Sequence, residues 1–301
     1  MKQFKLDIEI LNWQVLEGIP SASGIVKYNE DFFVIGDDSP YLFHIDLKFN
    51  LLSKKLIHSS GKLESNIIPK FHKPDFEAME MVSDTQILVF GSGSKSPERD
   101  VCVFVDIEKE TTFKQVDISL FYNYIRNMDI MQGHELDIEG LGFNGSSLYL
   151  FNRGRNIIFS FPYQEFIDFC ATGKTYPIPR FKLFSLPKIE GLEAGFSGAC
   201  SFPNTPYLIF TAAVEDAPNA YDDGDILGSF IGLIKIESGE ISEDFLISKI
   251  PNPGFPLKVE SVIVDKVISE TQTDLVLVTD NDGKPSEIIR LRMTLNKTGI
   301  N

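Results

Sequence analysis

One pattern recurs five times along the chain, and it limits the possible fold more than any other feature. Each copy opens with Ser or Glu, then a small residue, then an apolar one: Ser23-Gly24-Ile25, Glu77-Ala78-Met79, Glu139-Gly140-Leu141, Ser197-Gly198-Ala199 and Glu260-Ser261-Val262. A polar turn follows, then a short apolar run: FFVIG (32–36), ILVFG (87–91), LYLFN (148–152), YLIFT (207–211) and LVLVT (275–279). A third run comes after a polar loop (YLFHIDL, VCVFVDI, NIIFSF, FIGLIKI, EIIRLRM). In the first four copies a fourth run precedes the next unit (SKKLIHSS, FKQVDIS, FKLFSLP, EDFLISKI). Short runs rich in Val, Ile, Phe and Leu between Gly, Asp, Asn and Ser read as strands. Four strands per unit at this period are the mark of propeller blades.

The spacing of the opening residues sets the blade number. They lie 54, 62, 58 and 63 residues apart, and 64 separate Glu260 from Ser23 when the chain is closed on itself. The whole sequence is therefore one all-β, five-bladed β-propeller over residues 1–301, with blades starting near 23, 77, 139, 197 and 260. The fifth unit lacks a fourth strand at its C-terminal end. The N-terminal run FKLDIEIL is predicted to supply it, closing the last blade and covering its edge. Two inserts, 119–131 and 162–172, carry helical spacing of apolar residues and are expected as short helices packed on the outside.

The first strand of each blade lines the central channel of a propeller. Ser23, Glu77, Glu139, Ser197 and Glu260 should therefore form one ring around it. Two carboxylates about 4 Å apart repel by roughly 4 kcal/mol at an effective dielectric near 20. A ring with Glu at three places calls for protons or a cation. Oxygen donors without His or Cys suit a hard ion, and one central calcium is the expectation.

Antiparallel pairing puts the loops after the second strands at the same end as this ring. Those loops contain Asp37-Asp38-Ser39, Ser92-Gly93-Ser94, Arg153-Gly154-Arg155, Glu215-Asp216 and Asp280-Asn281-Asp282. The segments His72-Lys73-Pro74-Asp75-Phe76-Glu77 and His134-Glu135-Leu136-Asp137-Ile138-Glu139 join them. Arg153 and Arg155 are candidates to clamp an anionic small molecule such as a phosphate or carboxylate. Asp37 or Glu215 is a candidate general base.

The composition sets outer limits. Lys and Arg number 28 against 43 Asp and Glu, a net charge of −15, which repels nucleic acid and anionic membranes. Cys102, Cys170 and Cys200 are odd in number, far apart and set in apolar stretches, which reads as buried free thiols in a reducing compartment. With no leader-like or membrane-spanning run, the expected location is the cytoplasm. The sequence names no protein partner.

The ring order Ser, Glu, Glu, Ser, Glu resembles that of the calcium-activated nucleotidases, the apyrase family of five-bladed propellers. Asp37-Asp38 is similar to that family's acidic pair after the second strand of its first blade. Gly195-Phe196-Ser197 with Phe202-Pro203-Asn204-Thr205 is similar to its Gly-Phe-Ser segment and Pro-Gly-Thr turn, and Glu215-Asp216 to its next acidic pair. The stretch Asp137-Ile138-Glu139-Gly140-Leu141 also resembles phytase-like esterase propellers and uncharacterised bacterial relatives. The resemblance implies a calcium ion in the tunnel with phosphate esters or anhydrides hydrolysed beside it. Two positions depart from the nucleotidase pattern. Ser39 stands where that family has Arg, and Gly154 separates Arg153 from Arg155. The alternative is a non-enzymatic propeller whose calcium staples the blades and whose charged face binds a ligand or protein.

Overall fold

The computed structural model describes residues 3–58, 67–108, 112–216, 224–281 and 284–298, and these form five antiparallel four-stranded sheets. Blade 1 is Ala22–Tyr28, Asp31–Gly36, Tyr41–Ile45 and Leu51–Leu56. Blade 2 is Phe76–Met81, Gln86–Gly91, Val101–Asp106 and Thr112–Asp117. Blade 3 is Ile138–Phe143, Ser147–Asn152, Ile157–Pro162 and Arg180–Leu183. Blade 4 is Gly195–Ser201, Tyr207–Asp216, Asp225–Glu237 and Glu240–Lys249. Blade 5 is Val259–Val267, Gln272–Asn281 and Lys284–Lys297, with Phe4–Val15 as its outer strand. The innermost strands pack in sequence order, and that of blade 5 packs back on that of blade 1, which closes the five-bladed propeller. The end of the run SKKLIHSS, at Ser59 and Ser60, lies outside the described residues, as does Asp282.

Burial explains why the second runs are continuously apolar instead of alternating. A second strand is covered on both faces by neighbouring blades, and Ile87, Leu88, Val89 and Phe90 are all fully buried. The outer strand of blade 1, with its LLSKKL sequence, is mostly exposed. Phenylalanine fills the wedge-shaped gaps between sheets. Phe151, Phe196 and Phe210 meet between blades 3 and 4 with ring centroids 5.1 and 5.3 Å apart about Phe196.

Both inserts form helices. Helix α1 spans Ser119–Arg126, and α2 spans Tyr163–Thr172, ending at Gly173 in the left-handed region (φ +66°). Each buries one face: Phe121, Tyr122 and Ile125 on α1, Phe166 and Phe169 on α2. Phe166 lies 5.3 Å from Phe90 and 5.9 Å from Phe121, so the two helices seal blade 2 to blade 3. A small hairpin, Lys188–Ile189 with Leu192–Glu193, precedes blade 4 and was not expected from the sequence. Among the described residues no helix is long and apolar enough to cross a membrane.

The predicted closure is present. Phe4–Val15 pairs antiparallel with Lys284–Lys297 from Phe4↔Lys297 to Val15↔Glu287. Leu6, with Ile8 and Ile10 beside it, joins the apolar cluster containing Leu291 and Met293. The strand thus supplies a ladder and a strip of core. Deleting residues 1–12 should lower the melting temperature by roughly 10 °C or more, read by thermal unfolding. An unchanged transition would show that the strand does not close the ring energetically.

Candidate functional site

The ring residues share a backbone irregularity. In every blade the register of the innermost strand slips by one, between Ala22/Gly24, Phe76/Ala78, Ile138/Gly140, Phe196/Gly198 and Val259/Ser261. The residue skipped is Ser23, Glu77, Glu139, Ser197 or Glu260. A β-bulge leaves its extra residue unpaired and re-aims the side chain. The small residue that follows has its own cause. A Cβ on Gly198 would stand 2.6 Å from the Glu260 carbonyl oxygen, and one on Gly140 would stand 2.8 Å from the Ala199 nitrogen. Inner strands approach too closely there for a larger side chain.

The two ring serines link blades. Ser23 Oγ donates to the Phe76 carbonyl (2.5 Å) and Ser197 Oγ to the Val259 carbonyl (2.6 Å). In each case the acceptor immediately precedes the ring glutamate of the next blade. Among the ring glutamates, the charge of Glu139 acts on both Glu77 and Glu260.

Around them is a buried network of charges with carboxyls in surplus. Lys73 pairs with Asp37 and, at 2.8 Å, with Asp75. Asp75, at φ +56°, also pairs with Arg99 and accepts from Ser92 Oγ at 2.5 Å. Arg153 reaches Glu215 at 2.9 Å and Glu139 at 3.9 Å. Lys258 reaches Glu215 at 2.9 Å and Glu260 at 3.4 Å. Against these four cations stand Asp37, Asp38, Asp75, Glu77, Asp137, Glu139, Glu215 and Glu260. Among the described residues, the buried oxygens Asp37 Oδ1, Asp38 Oδ1 and Glu260 Oε2 have no hydrogen-bond partner.

The surplus is reflected in the titration of the acids. Burial, then the charge of Asp37, pushes Asp38 up to about 6. Burial pushes Asp137 up to about 7, with Arg153 opposing it. Burial also pushes Glu260 up to about 8, against the pull of Lys258. Glu77 and Glu139 are raised by burial and then by a neighbouring carboxyl, Glu139 for the first and Asp137 for the second. Glu215 is the exception. Burial acts to raise it, but Arg153 and Lys258 outweigh that and hold it below its ordinary value.

The site residues expected from sequence divide accordingly. Asp37, Glu77, Glu139, Arg153, Glu215 and Glu260 belong to one charged network. Arg155 has a different partner from Arg153 and donates to the Ile130 carbonyl. His72 and His134 are exposed. Among the described residues, the group of three acids whose oxygens lie within 4.8 Å of one another is Asp37, Asp75 and Glu77. It contains one ring member and two residues from the surrounding loops, so the closest carboxylates sit to the blade 1–blade 2 side instead of evenly around the ring. Arg99 carries no signal in the sequence, because it enters from deep within the 92–100 loop.

Further along the inner strands the channel is bridged. Glu80 of blade 2 accepts from the Ser201 N–H of blade 4 at 2.8 Å and from its own neighbour Met81 at 3.0 Å. Burial pushes Glu80 up to about 7, and the Ser201 and Met81 N–H groups temper the shift.

A family model described as "Family of unknown function (DUF6929)" matches residues 18–293. No curated protein matches the sequence. Glutaminyl cyclase from Myxococcus xanthus superposes with a TM-score of 0.56 at 8% identity, covering 97% of this chain and 99% of that one. At that identity the likeness shows the fold alone. Weaker likenesses are Kuenenia stuttgartiensis hydrazine synthase (TM-score 0.44, 13% identity, 97% and 67% covered) and a DUF4221 family member from Bacteroides vulgatus (0.43, 9%, 98% and 100%).

The raised acids set the pH dependence of stability. Asp38, Glu80, Asp137 and Glu260 have folded-state values of about 6 to 8, above the ordinary carboxyl range near 4. Their contribution is fully present below that range and is lost as pH rises through the folded values. Glu215, shifted the other way, stays ionised throughout. In chelator, the melting temperature should fall between pH 5.5 and 8.5. A flat or rising profile would contradict the assigned burial of these acids.

Proposed function

The chain belongs to the family of unknown function DUF6929, and we propose that it is a calcium-binding propeller whose metal sits at the mouth of the central channel. Glu77 is the central ligand. Asp37 and Asp75 contribute from the blade 1–blade 2 side, and the ring residues Glu139 and Glu260 from across the channel. Ser23 and Ser197 offer hydroxyl oxygens whose hydrogens are already donated to carbonyls. The observation that carries this reading is the surplus of buried carboxyls, with oxygens of Asp37, Asp38 and Glu260 that have no hydrogen-bond partner among the described residues. Donors that are all oxygen suit a hard, flexibly coordinated ion. Lys73 already spans Asp37 and Asp75, so the ion competes with its ammonium group for those oxygens.

A second reading, hydrolysis of phosphate esters or anhydrides, has one specific observation in its favour. Arg153 stands beside Glu139, whose neighbour Asp137 titrates at about 7, so an anion-binding group and a proton-transfer group lie together. When bound, the ion would supply Lewis-acid polarisation of a phosphate oxygen. Glu215, held ionised by Arg153 and Lys258, is a weak base and serves to position both cations. Asp37, the other acid named from the sequence, is paired with Lys73. Arg155, engaged with the Ile130 carbonyl, falls outside this set.

Calorimetric titration of chelator-treated protein with calcium tests the first reading. One site is expected. Glu77→Gln should abolish it, Glu139→Gln should weaken it about tenfold or more, equivalent to about 1.4 kcal/mol, and Lys73→Met should tighten it. No calcium binding by the folded wild-type chain would end this reading. A panel of nucleoside phosphates and phosphate esters then tests the second. Phosphate release that Arg153→Ala removes is the expected mark of a hydrolase, and none from calcium-loaded protein leaves a non-enzymatic binding propeller.

A further inference from the structure

Away from the channel, two cysteines distant in sequence come together. Cys102 lies in the third strand of blade 2, where Cys102, Phe104 and Asp106 share one face by the alternation of a strand. Phe104 and Asp106 line a cavity of about 340 Å³ whose other wall is Ile167, Cys170 and Ala171 of α2. Helix α2 is fixed there by Phe166 against Phe90, and by Tyr163 Oη donating to Gln86 Oε1 at 3.4 Å. Cys102 is fully buried and Cys170 half-buried, both are free, and Cys170 packs against the apolar cluster that contains Cys102. Phe90, which Phe166 packs against, is the cross-strand partner of Cys102, and Cys170 lies one helical turn beyond Phe166. Burial first, and Cys170 second, push the Cys102 thiol up.

We propose that Cys102 and Cys170 are a modification site, a dithiol pair that a peroxide entering the cavity converts to a disulfide, joining α2 of blade 3 covalently to blade 2. The division of labour follows from exposure. Cys170 lines the cavity, so its thiolate attacks a peroxide oxygen, the O–O bond breaks, and with hydrogen peroxide one water leaves after protonation. Cys170 is then a sulfenic acid. Cys102 gives up its proton to the leaving oxygen, and its thiolate sulfur attacks that sulfur. The S–S bond forms as the sulfenic oxygen departs in a second water. Two thiols lose two electrons in total, and one peroxide gains them. Cys200, buried in the inner strand of blade 4, is not part of the pair.

The test treats native full-length protein with stoichiometric hydrogen peroxide, then unfolds it, alkylates it, and reads intact mass and non-reducing peptide maps. One alkylated thiol in place of the original three is expected, with Cys200 alkylated and the peptides of Cys102 and Cys170 linked. Cys102→Ser should leave Cys170 as the sulfenic acid, trapped by dimedone, and Cys170→Ser should remove the link. Peroxide treatment in denaturant should lose the preference for this pair. Three alkylated thiols from oxidised native protein, a Cys170 oxyacid with Cys102 free, or a link between two chains would each overturn the proposal.

Discussion

The architecture turns on how closely five strands can approach one axis. At that approach only a small residue stands directly after the ring position, and a Cβ on Gly198 would run into the Glu260 carbonyl. The bulge one residue earlier relieves the ladder at the same level and leaves one side chain per blade unpaired. Five blades therefore deliver five side chains to one level, and the chain has filled three of those places with glutamate. Steric crowding in the backbone has become electrostatic crowding at the channel mouth.

Burying charge is costly unless each ion finds partners, and a buried pair rarely gains more than its desolvation costs. Here three of the four cations each serve two acids: Lys73 bridges Asp37 and Asp75, Arg153 bridges Glu139 and Glu215, and Lys258 bridges Glu215 and Glu260. The bridges run from blade to blade, so the network orients neighbouring blades as well as neutralising them. Glu80 does the same further down by reaching from blade 2 to the Ser201 N–H of blade 4. Acid surplus and blade registry are two results of one arrangement.

Much of this was legible because it repeats. The Ser/Glu-small-apolar triplet recurs in each blade. The N-terminal strand was legible by subtraction, since the fifth unit lacked one. The repeat gave the blades, while contacts made by single loops leave no periodic signal. Arg153 and Arg155 look equivalent in sequence, yet Arg155 donates to the Ile130 carbonyl. Arg99 reaches Asp75 from a loop with no counterpart in other blades. The hairpin Lys188–Glu193 is too short to carry a periodic signal. The closeness of Asp37, Asp75 and Glu77 depends on the left-handed backbone at Asp75, which residue spacing does not encode.

The pairing of Phe4–Val15 with Lys284–Lys297 also orders events during synthesis. Strands made early in translation must wait for a partner that emerges about 270 residues later, and at typical elongation rates that delay is on the order of tens of seconds. For that time the first segment is an unsatisfied edge and the remaining blades form an open arc. Native-like closure is thus the last long-range contact available to the nascent chain, and the ring becomes a single cooperative object only after nearly all of it has been made.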